Sequence, residues 1–297
     1  MRITKYLEAL FFLGALCVLC VKTSFAEPHI VFVTGDDEYS SELSMPMIAR
    51  ILQERHGMKT TVLYATNEKG ERDRTAHSIP GLEALATADA AVFFMRWREL
   101  PQDQLDDIIR YAKSGKPMLG LRTTSHALKY PGPPNDQWND GFGRNFFGQK
   151  WIVHYGHHNS TLAHVVPAAK DDPILRGVEP EFWLHSWLYV MNHGDDKLPA
   201  DCHVLLEGDA IQGDQPGGEK FGNREPMAWT RELIRKEDDH KQRIFYTSLG
   251  HPRDFLYESP RRLLVNAVYW SLGREKDIPT QGANVEIVGD YNPPDPK

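Results

Sequence analysis

Cysteine is almost missing from the 297-residue chain, which has three: Cys17, Cys20 and Cys202. The first two form a C-x-x-C inside an N-terminal apolar run that reads as a leader, so a processed chain would keep only Cys202. That excludes an internal disulfide and any cysteine-built zinc site. Cys202 lies between Asp201 and the apolar Val204-Leu205-Leu206 and reads as a strand-edge residue, not a nucleophile. The phosphate-cradling G-x-x-x-x-G-K-[ST], the G-x-S-x-G elbow and the H-E-x-x-H helix are absent too. Gly141-Phe142-Gly143-Arg144 begins like a dinucleotide fingerprint, but Phe146 stands where the third glycine belongs. Nucleotide binding therefore has no support. There is no excess of positive charge: 34 Lys and Arg face 41 Asp and Glu, for a net charge of −7. Nucleic acid and anionic membranes are not expected partners.

Arg2 and Lys5 precede an apolar run over residues 9–21, and Ser24-Phe25-Ala26 places small residues where a signal peptidase reads them. The run is shorter than the roughly 20 residues a spanning helix needs. Residues 1–26 are thus expected to be a signal peptide cleaved after Ala26, leaving a periplasmic or secreted protein with no integral membrane span. The whole chain, with 41% hydrophobic and 25% charged residues, has an ordinary globular composition, and the part after residue 26 is long enough for one domain with a full core. It divides into a body over 27–275 and a Pro- and Gly-rich extended tail over 276–297. Self-association into a homo-oligomer is left open.

Short apolar runs at 29–34, 60–65, 90–95 and 117–121 alternate with helical periodicity. Ser44 and Pro46 supply start chemistry for a helix ending at Gly57, and Leu105, Ile108, Ile109 and Ala112 line a second. This pattern predicts a parallel sheet with right-handed crossovers. Further strands are expected at 161–166, 183–191, 203–206, 227–230 and 243–249. A final helix, capped by Ser259 with Pro260 in its first turn, should end at Gly273.

Histidine is the abundant functional residue. His154, His157, His158 and His164 fall within one short segment, and imidazoles either bind divalent metals or move protons near neutral pH. Their spacing matches no zinc motif. His154 and His157 are the candidate ligands for a divalent ion such as zinc or manganese, while His164, inside an apolar strand, reads as structural. In an open parallel sheet ligands bind beyond the carboxyl ends of the strands. That rule selects Asp36 and Tyr39 after the first strand, Arg122 and His126 after the fourth, and His251 after the last. The aromatic-rich stretch over 123–159, which includes Trp138 and Trp151, has the character of binding loops.

Several of these segments resemble the ThuA-like (trehalose-utilisation-like) family. The most specific is Arg243-Ile244-Phe245-Tyr246-Thr247-Ser248-Leu249-Gly250-His251-Pro252-Arg253-Asp254-Phe255, followed by Arg261-Arg262-Leu263-Leu264-Val265-Asn266-Ala267-Val268-Tyr269-Trp270. Pro226-Met227-Ala228-Trp229-Thr230-Arg231, Asp172-Pro173-Ile174-Leu175-Arg176-Gly177-Val178 and Val33-Thr34-Gly35-Asp36 support it. The resemblance implies a flavodoxin-like three-layer α/β/α sandwich with a mostly parallel central sheet, similar to class I glutamine amidotransferases. Those enzymes hold a nucleophilic cysteine in the turn after the fourth strand, and ThuA-like proteins more often have histidine there. Arg122 departs from both patterns, so cysteine-dependent glutaminase chemistry is excluded. Asp172 also departs, standing where the family often has histidine, and reads as structural.

The family name further implies a bacterial carbohydrate-catabolism protein acting on glycosides or keto-glycosides, as a hydrolase, lyase or isomerase. In that reading His154, His157, His251 and Arg122 are the catalytic candidates. Asp36, Tyr39, His126 and Trp151 bind a small carbohydrate, with or without a metal. A metal-dependent hydrolase of another substrate class and a non-catalytic carbohydrate-binding or envelope module stay open.

Overall fold

The computed structural model describes residues 27–234 and 240–294. The expected signal peptide lies outside the described residues. The strands are β1 (His29–Gly35), β2 (Lys59–Leu63), β3 (Ala90–Met95), β4 (Met118–Leu121), β5 (Val153–His154) and β6 (Asn159–Val165). They continue with β7 (Glu181–Leu184), β8 (Tyr189–Val190), β9 (Cys202–Gln212), β10 (Lys220–Ile234) and β11 (Lys241–Thr247). The α-helices are α1 (Ser41–His56), α2 (Gln102–Ala112), α3 (Gln137–Phe142) and α4 (Glu258–Ser271). Among the described residues no helix is long and apolar enough to cross a membrane.

One nine-stranded sheet has the order β2-β1-β3-β4-β11-β10-β9-β6-β7, while β5 and β8 pair separately. From β2 to β11 every pairing is parallel. From β11 outward every pairing is antiparallel. Within the parallel block the sequence order is 2-1-3-4-5, the flavodoxin-like arrangement, whose switch point falls between β1 and β3. The expected α/β class and flavodoxin-like order hold. The parallel strands, however, make only half of a sheet that antiparallel strands extend.

β1 shows how the layers form. Ile30 and Phe32 point into a core with Ile48, Ile51 and Leu52 of α1 and Leu263, Leu264, Ala267 and Val268 of α4. Val31 and Val33 point the other way, toward Leu105, Ile108 and Ala112 of α2. Strands buried on both faces must be apolar at every position, which is why these runs are continuous rather than alternating. Tryptophan and phenylalanine complete the second core: the Trp229 indole is wholly buried and donates through Nε1 to the Phe147 carbonyl at 2.8 Å.

Local details depart from the sequence expectations in three places. α1 starts at Ser41, so Pro46 lies inside the helix instead of opening it. α4 follows Tyr257 without a side-chain cap, and the Ser259 hydroxyl accepts from the Glu179 amide at 3.1 Å instead. The strand expected over 183–191 is interrupted: residues 185–188 leave the ladder, and the carbonyls of Ser186 and Trp187 receive side-chain donors. Thr161 Oγ1 donates to the Ser186 carbonyl at 2.6 Å, and Arg122 Nη1 to that of Trp187 at 3.2 Å. The tail packs on its own chain across α1 and α4. His56 Nε2 meets the Asn284 carbonyl at 2.7 Å, Arg261 Nε donates to that of Val285 at 2.8 Å, and Ala283 and Val285 are buried.

Candidate functional site

The carboxyl ends of β1, β3, β4 and β11 meet around one buried guanidinium. After β4 the chain turns at Arg122, whose φ of 43° is left-handed, and continues as a 3-10 turn over Arg122–His126. A non-glycine residue held in this region stores strain and is over-determined by its surroundings. Here the surroundings are specific. Arg122 Nη1 donates to the Ser248 carbonyl (2.8 Å) and the Trp187 carbonyl (3.2 Å), and Nη2 donates to Tyr39 Oη (3.0 Å). The guanidinium carbon lies 4.1 Å from the Tyr39 ring centroid and 4.7 Å from that of Tyr189. Gly250 leaves room for this side chain: a Cβ there would stand 3.0 Å from Arg122 Cβ and from Phe94 Cζ. Arg122 is wholly buried and stays charged at any working pH. It is placed as a post that ties β1, β11 and the 185–188 segment together.

Asp36 is similarly inward. Its carboxylate accepts the Tyr39 amide at 2.6 Å, the Glu38 amide at 3.3 Å and Thr123 Oγ1 at 3.5 Å. Burial pushes its pKa up to about 7, against the pull of those amides. Asp36 thereby holds the turn that carries Glu38 and Tyr39.

Above this base lies a layer of rings. His126 sits 5.4 Å from Trp97, 5.1 Å from Trp151 and 6.3 Å from Tyr189, centroid to centroid. Trp97 and Trp151 meet edge to face at 6.2 Å. His154, on β5, lies 5.4 Å from Trp187 and 6.5 Å from Trp151. His157 stands edge-on to Trp187 at 4.5 Å and 4.9 Å from His154. Trp187 in turn meets Tyr39 at 6.2 Å. Tyr39, Arg122, His126, Trp151, His154 and His157 therefore come together, with Asp36 bracing the base. Trp138 does not join them; it stacks on Phe146 at 6.5 Å.

Protonation differs among the imidazoles. Burial first, then the positive charges of Arg96, Arg122 and His154, holds His126 well below its ordinary pKa. His154 is lowered by burial and by Arg122 and His157. Its Nδ1 accepts the Gly156 amide at 3.0 Å, so the neutral ring carries its proton on Nε2 and presents a donor. His126 Nδ1 faces Ser125 Oγ at 3.2 Å, a partner that suits either tautomer.

His251 belongs to an adjoining group. It stacks on His185 at 5.1 Å and 22°, and its Nδ1 accepts the Arg253 amide at 3.1 Å. Burial, reinforced by His185 and Arg122, drives its pKa down to about 2. Asp254 anchors the group. Its carboxylate accepts the amides of His185 (2.8 Å), Ser186, Gly250 and His251 (3.2 Å each) and the Ser186 hydroxyl (2.5 Å). Its own pKa is raised by burial.

Sequence reasoning missed Arg96, Trp97, His185, Trp187 and Asp254. The first two follow β3 directly, so the strand-end rule that chose Asp36 and Arg122 selects them as well. Arg96 pairs with Asp37 (3.0 Å) and Glu38 (2.9 Å), and its guanidinium carbon lies 3.7 Å from the Trp97 ring centroid. Trp97 itself holds a φ of 47°, a second strained position in the cluster. His185 and Trp187 lay inside what reads as an uninterrupted strand and gave no such signal. His164, by contrast, is structural as expected, bonded to Asp209 at 2.8 Å and Glu181 at 3.1 Å. Cys202 lies on β9, where burial pushes its thiol up to about 12, far from a reactive thiolate.

Among the described residues no three His, Cys, Asp or Glu side chains cluster as a metal site would need. His154 and His157 offer two donors where resident zinc sites use three or four. The described side chains are thus a poor fit for a resident ion.

A flavodoxin-like parallel block with an aromatic and imidazole cluster at its carboxyl edge defines the class. The ThuA family, described as trehalose utilisation, matches residues 30–271, and the chain belongs to that family. A ThuA-like protein from Parabacteroides merdae ATCC 43184 shares the fold, with a TM-score of 0.50 and 15% identity over 88% of this chain and 98% of its own. The N-terminal domain of mmIFT52 is similar at a TM-score of 0.46 and 11% identity, over 82% of this chain and 97% of that domain. No curated protein matches the chain.

Proposed function

We propose that this chain is an exported carbohydrate-catabolism protein that binds a glycoside or keto-glycoside against Trp97, Trp151 and Trp187 and moves a proton on it with histidine. One observation carries the reading: three tryptophans and three histidines converge at the carboxyl edge of the parallel strands of a trehalose-utilisation family member. Aromatic faces suit the C–H faces of a pyranose, and neutral imidazoles suit its oxygens.

The hydrogen bonds divide the labour. His154, with Nδ1 held by Gly156, donates through Nε2 to a hydroxyl or keto oxygen. His157, at the exposed rim beside Trp187, takes the proton from the carbon next to the carbonyl. Arg122 and Asp36 position this layer without touching the sugar, and His251 holds the adjoining edge. No step is routed through a metal.

Turnover of keto-disaccharides by the purified protein tests the proposal. His157→Ala and His154→Ala should each abolish it, and unchanged turnover in both would sink the reading. Saturable sugar binding without turnover in the parent would leave a carbohydrate-binding module instead. Metal analysis of untagged protein decides the question of the ion. Export is tested separately: the mature protein should begin at Glu27 in the periplasmic or culture fraction.

A further inference from the structure

Away from the imidazole layer, Trp183 of β7 and Tyr257, just before α4, stand edge to face with centroids 6.4 Å apart at 89°. They wall a cavity of about 380 Å³ whose lining also includes Phe182, Glu179, Glu258 and Arg262. Both rings are held in place. Trp183 Nε1 donates to Ser160 Oγ at 2.9 Å, and the indole meets His185 at 4.4 Å. Tyr257 lies nearly parallel to His185 at 6.3 Å and 27°, yet 44% of its surface is exposed. An exposed aromatic fixed from behind costs little ordering entropy when a ligand lands on it.

The charged groups narrow the ligand class. Arg262 is already committed, donating to Glu258 Oε2 (2.6 Å), the Gly177 carbonyl (2.8 Å) and the Ala283 carbonyl (3.3 Å). What faces the cavity is therefore two aromatic surfaces, the Glu179 carboxylate and the second oxygen of Glu258, whose Oε2 is taken by Arg262; both glutamates are exposed. Such a lining accepts hydrogen bonds from hydroxyls and repels anions. Its volume falls within the range of small-molecule sites. His185 links the cavity to the candidate site, since it also stacks on His251.

The geometry points to this cavity as a second carbohydrate site, holding one ring of a neutral oligosaccharide on Tyr257 and Trp183 while Glu179 and Glu258 accept from its hydroxyls. The site holds and does no chemistry. It does not depend on the proton transfer proposed for His154 and His157.

An array of neutral and acidic oligosaccharides, probed with the labelled full-length protein, tests it. Neutral glycans should bind, and Tyr257→Ala should weaken them about tenfold or more, the loss expected for one aromatic contact. Trp183→Ala should do the same. Because the Trp183 variant carries some folding risk, the exposed Tyr257 variant is decisive, read beside a thermal melt. His157→Ala should retain this binding even where it loses turnover. No neutral glycan bound, binding unchanged in Tyr257→Ala, or binding confined to acidic glycans overturns the assignment. Saturable choline binding that Tyr257→Ala abolishes overturns it too, because the rings would then be a cation cage.

Discussion

Replacing Arg122 with methionine removes the post on which the candidate site stands, and its cost can be worked from the contacts. The guanidinium makes three charge-assisted hydrogen bonds, to the carbonyls of Ser248 and Trp187 and to Tyr39 Oη. Each such bond contributes about 1.5–3 kcal/mol, and buried acceptors left without donors cost about 1–3 kcal/mol each. The terms overlap, and methionine recovers apolar contact with Tyr39 and Tyr189, so the net loss should be about 4 kcal/mol. Against a total stability of roughly 5–15 kcal/mol that is a large fraction. In urea, with a slope near 3 kcal/mol per molar, the midpoint should fall by about 1 M or more at unchanged slope. Arg122→Lys should recover little, because one ammonium cannot reach three acceptors set in a fork. A midpoint within about 0.3 M of the parent would refute the structural role. So would a stable Arg122→Lys protein that has lost only sugar affinity, the pattern of a residue that faces substrate.

Other perturbations test separate contacts. His251 titrates near 2 in the folded chain and near 6.5 when unfolded, so between those values the unfolded state binds the extra proton. Its presence therefore lowers stability as pH falls below 6.5, by about 1.4 kcal/mol per pH unit. His251→Asn should flatten the acid limb of a stability–pH curve by that slope, and an unaltered curve counts against the buried neutral imidazole. Gly143 lies where an added Cβ would stand 2.2 Å from the Ser125 carbonyl oxygen and 2.9 Å from that of Gln149. Backbone cannot yield as a side chain does, so Gly143→Ala should unfold or strongly lower the melting temperature, and a near-parental melt would contradict this packing. Trp151→Ala should weaken sugar binding about tenfold by calorimetry while leaving the melt nearly unchanged, since the indole is only partly buried. Equal affinity in parent and variant would remove Trp151 from the site.

The parallel half of the fold was legible because burial on two faces forces it to be. Ala90–Met95 has no polar residue, and no other local structure suits so short an unbroken run flanked by turn residues. In the antiparallel half the strand positions were legible, but the full length of β9 and β10 was not, for two physical reasons. β9 and β10 run well beyond their buried apolar centres, into exposed positions such as His203 and Asn223 that carry no hydrophobic signal. Register shifts between Phe221 and Glu225, and again near Pro226 and Ala228, also break the period of two on which strand reading rests. The strand-end rule located Asp36, Arg122, His126 and His251. It could not tell that the first two are buried supports, because burial is decided by donors and acceptors far away in sequence.

Burial explains how arginine can occupy the turn after β4, where the resemblance leads one to expect a cysteine or histidine. A nucleophile in that turn must reach outward to a substrate. Arg122 runs inward, and the atoms that receive it come from Tyr39, Trp187 and Ser248, on three separate segments. The ring layer above is supplied mostly from elsewhere: Trp151, His154, His157 and Trp187 all belong to the segments that surround β5 and β8. The parallel block thus provides a charged, strained platform, and the separately paired β5 and β8, with the loops beside them, lay tryptophan and histidine over it. If that division is right, chemistry and folding should separate cleanly by position. Substitutions at His154 and His157 should change turnover with little effect on the urea midpoint, while those at Arg122 and Asp254 should move the midpoint first. A His157→Ala protein as unstable as Arg122→Met would show that the two layers are one structural unit, and the assignment of proton transfer to the upper layer would lose its basis.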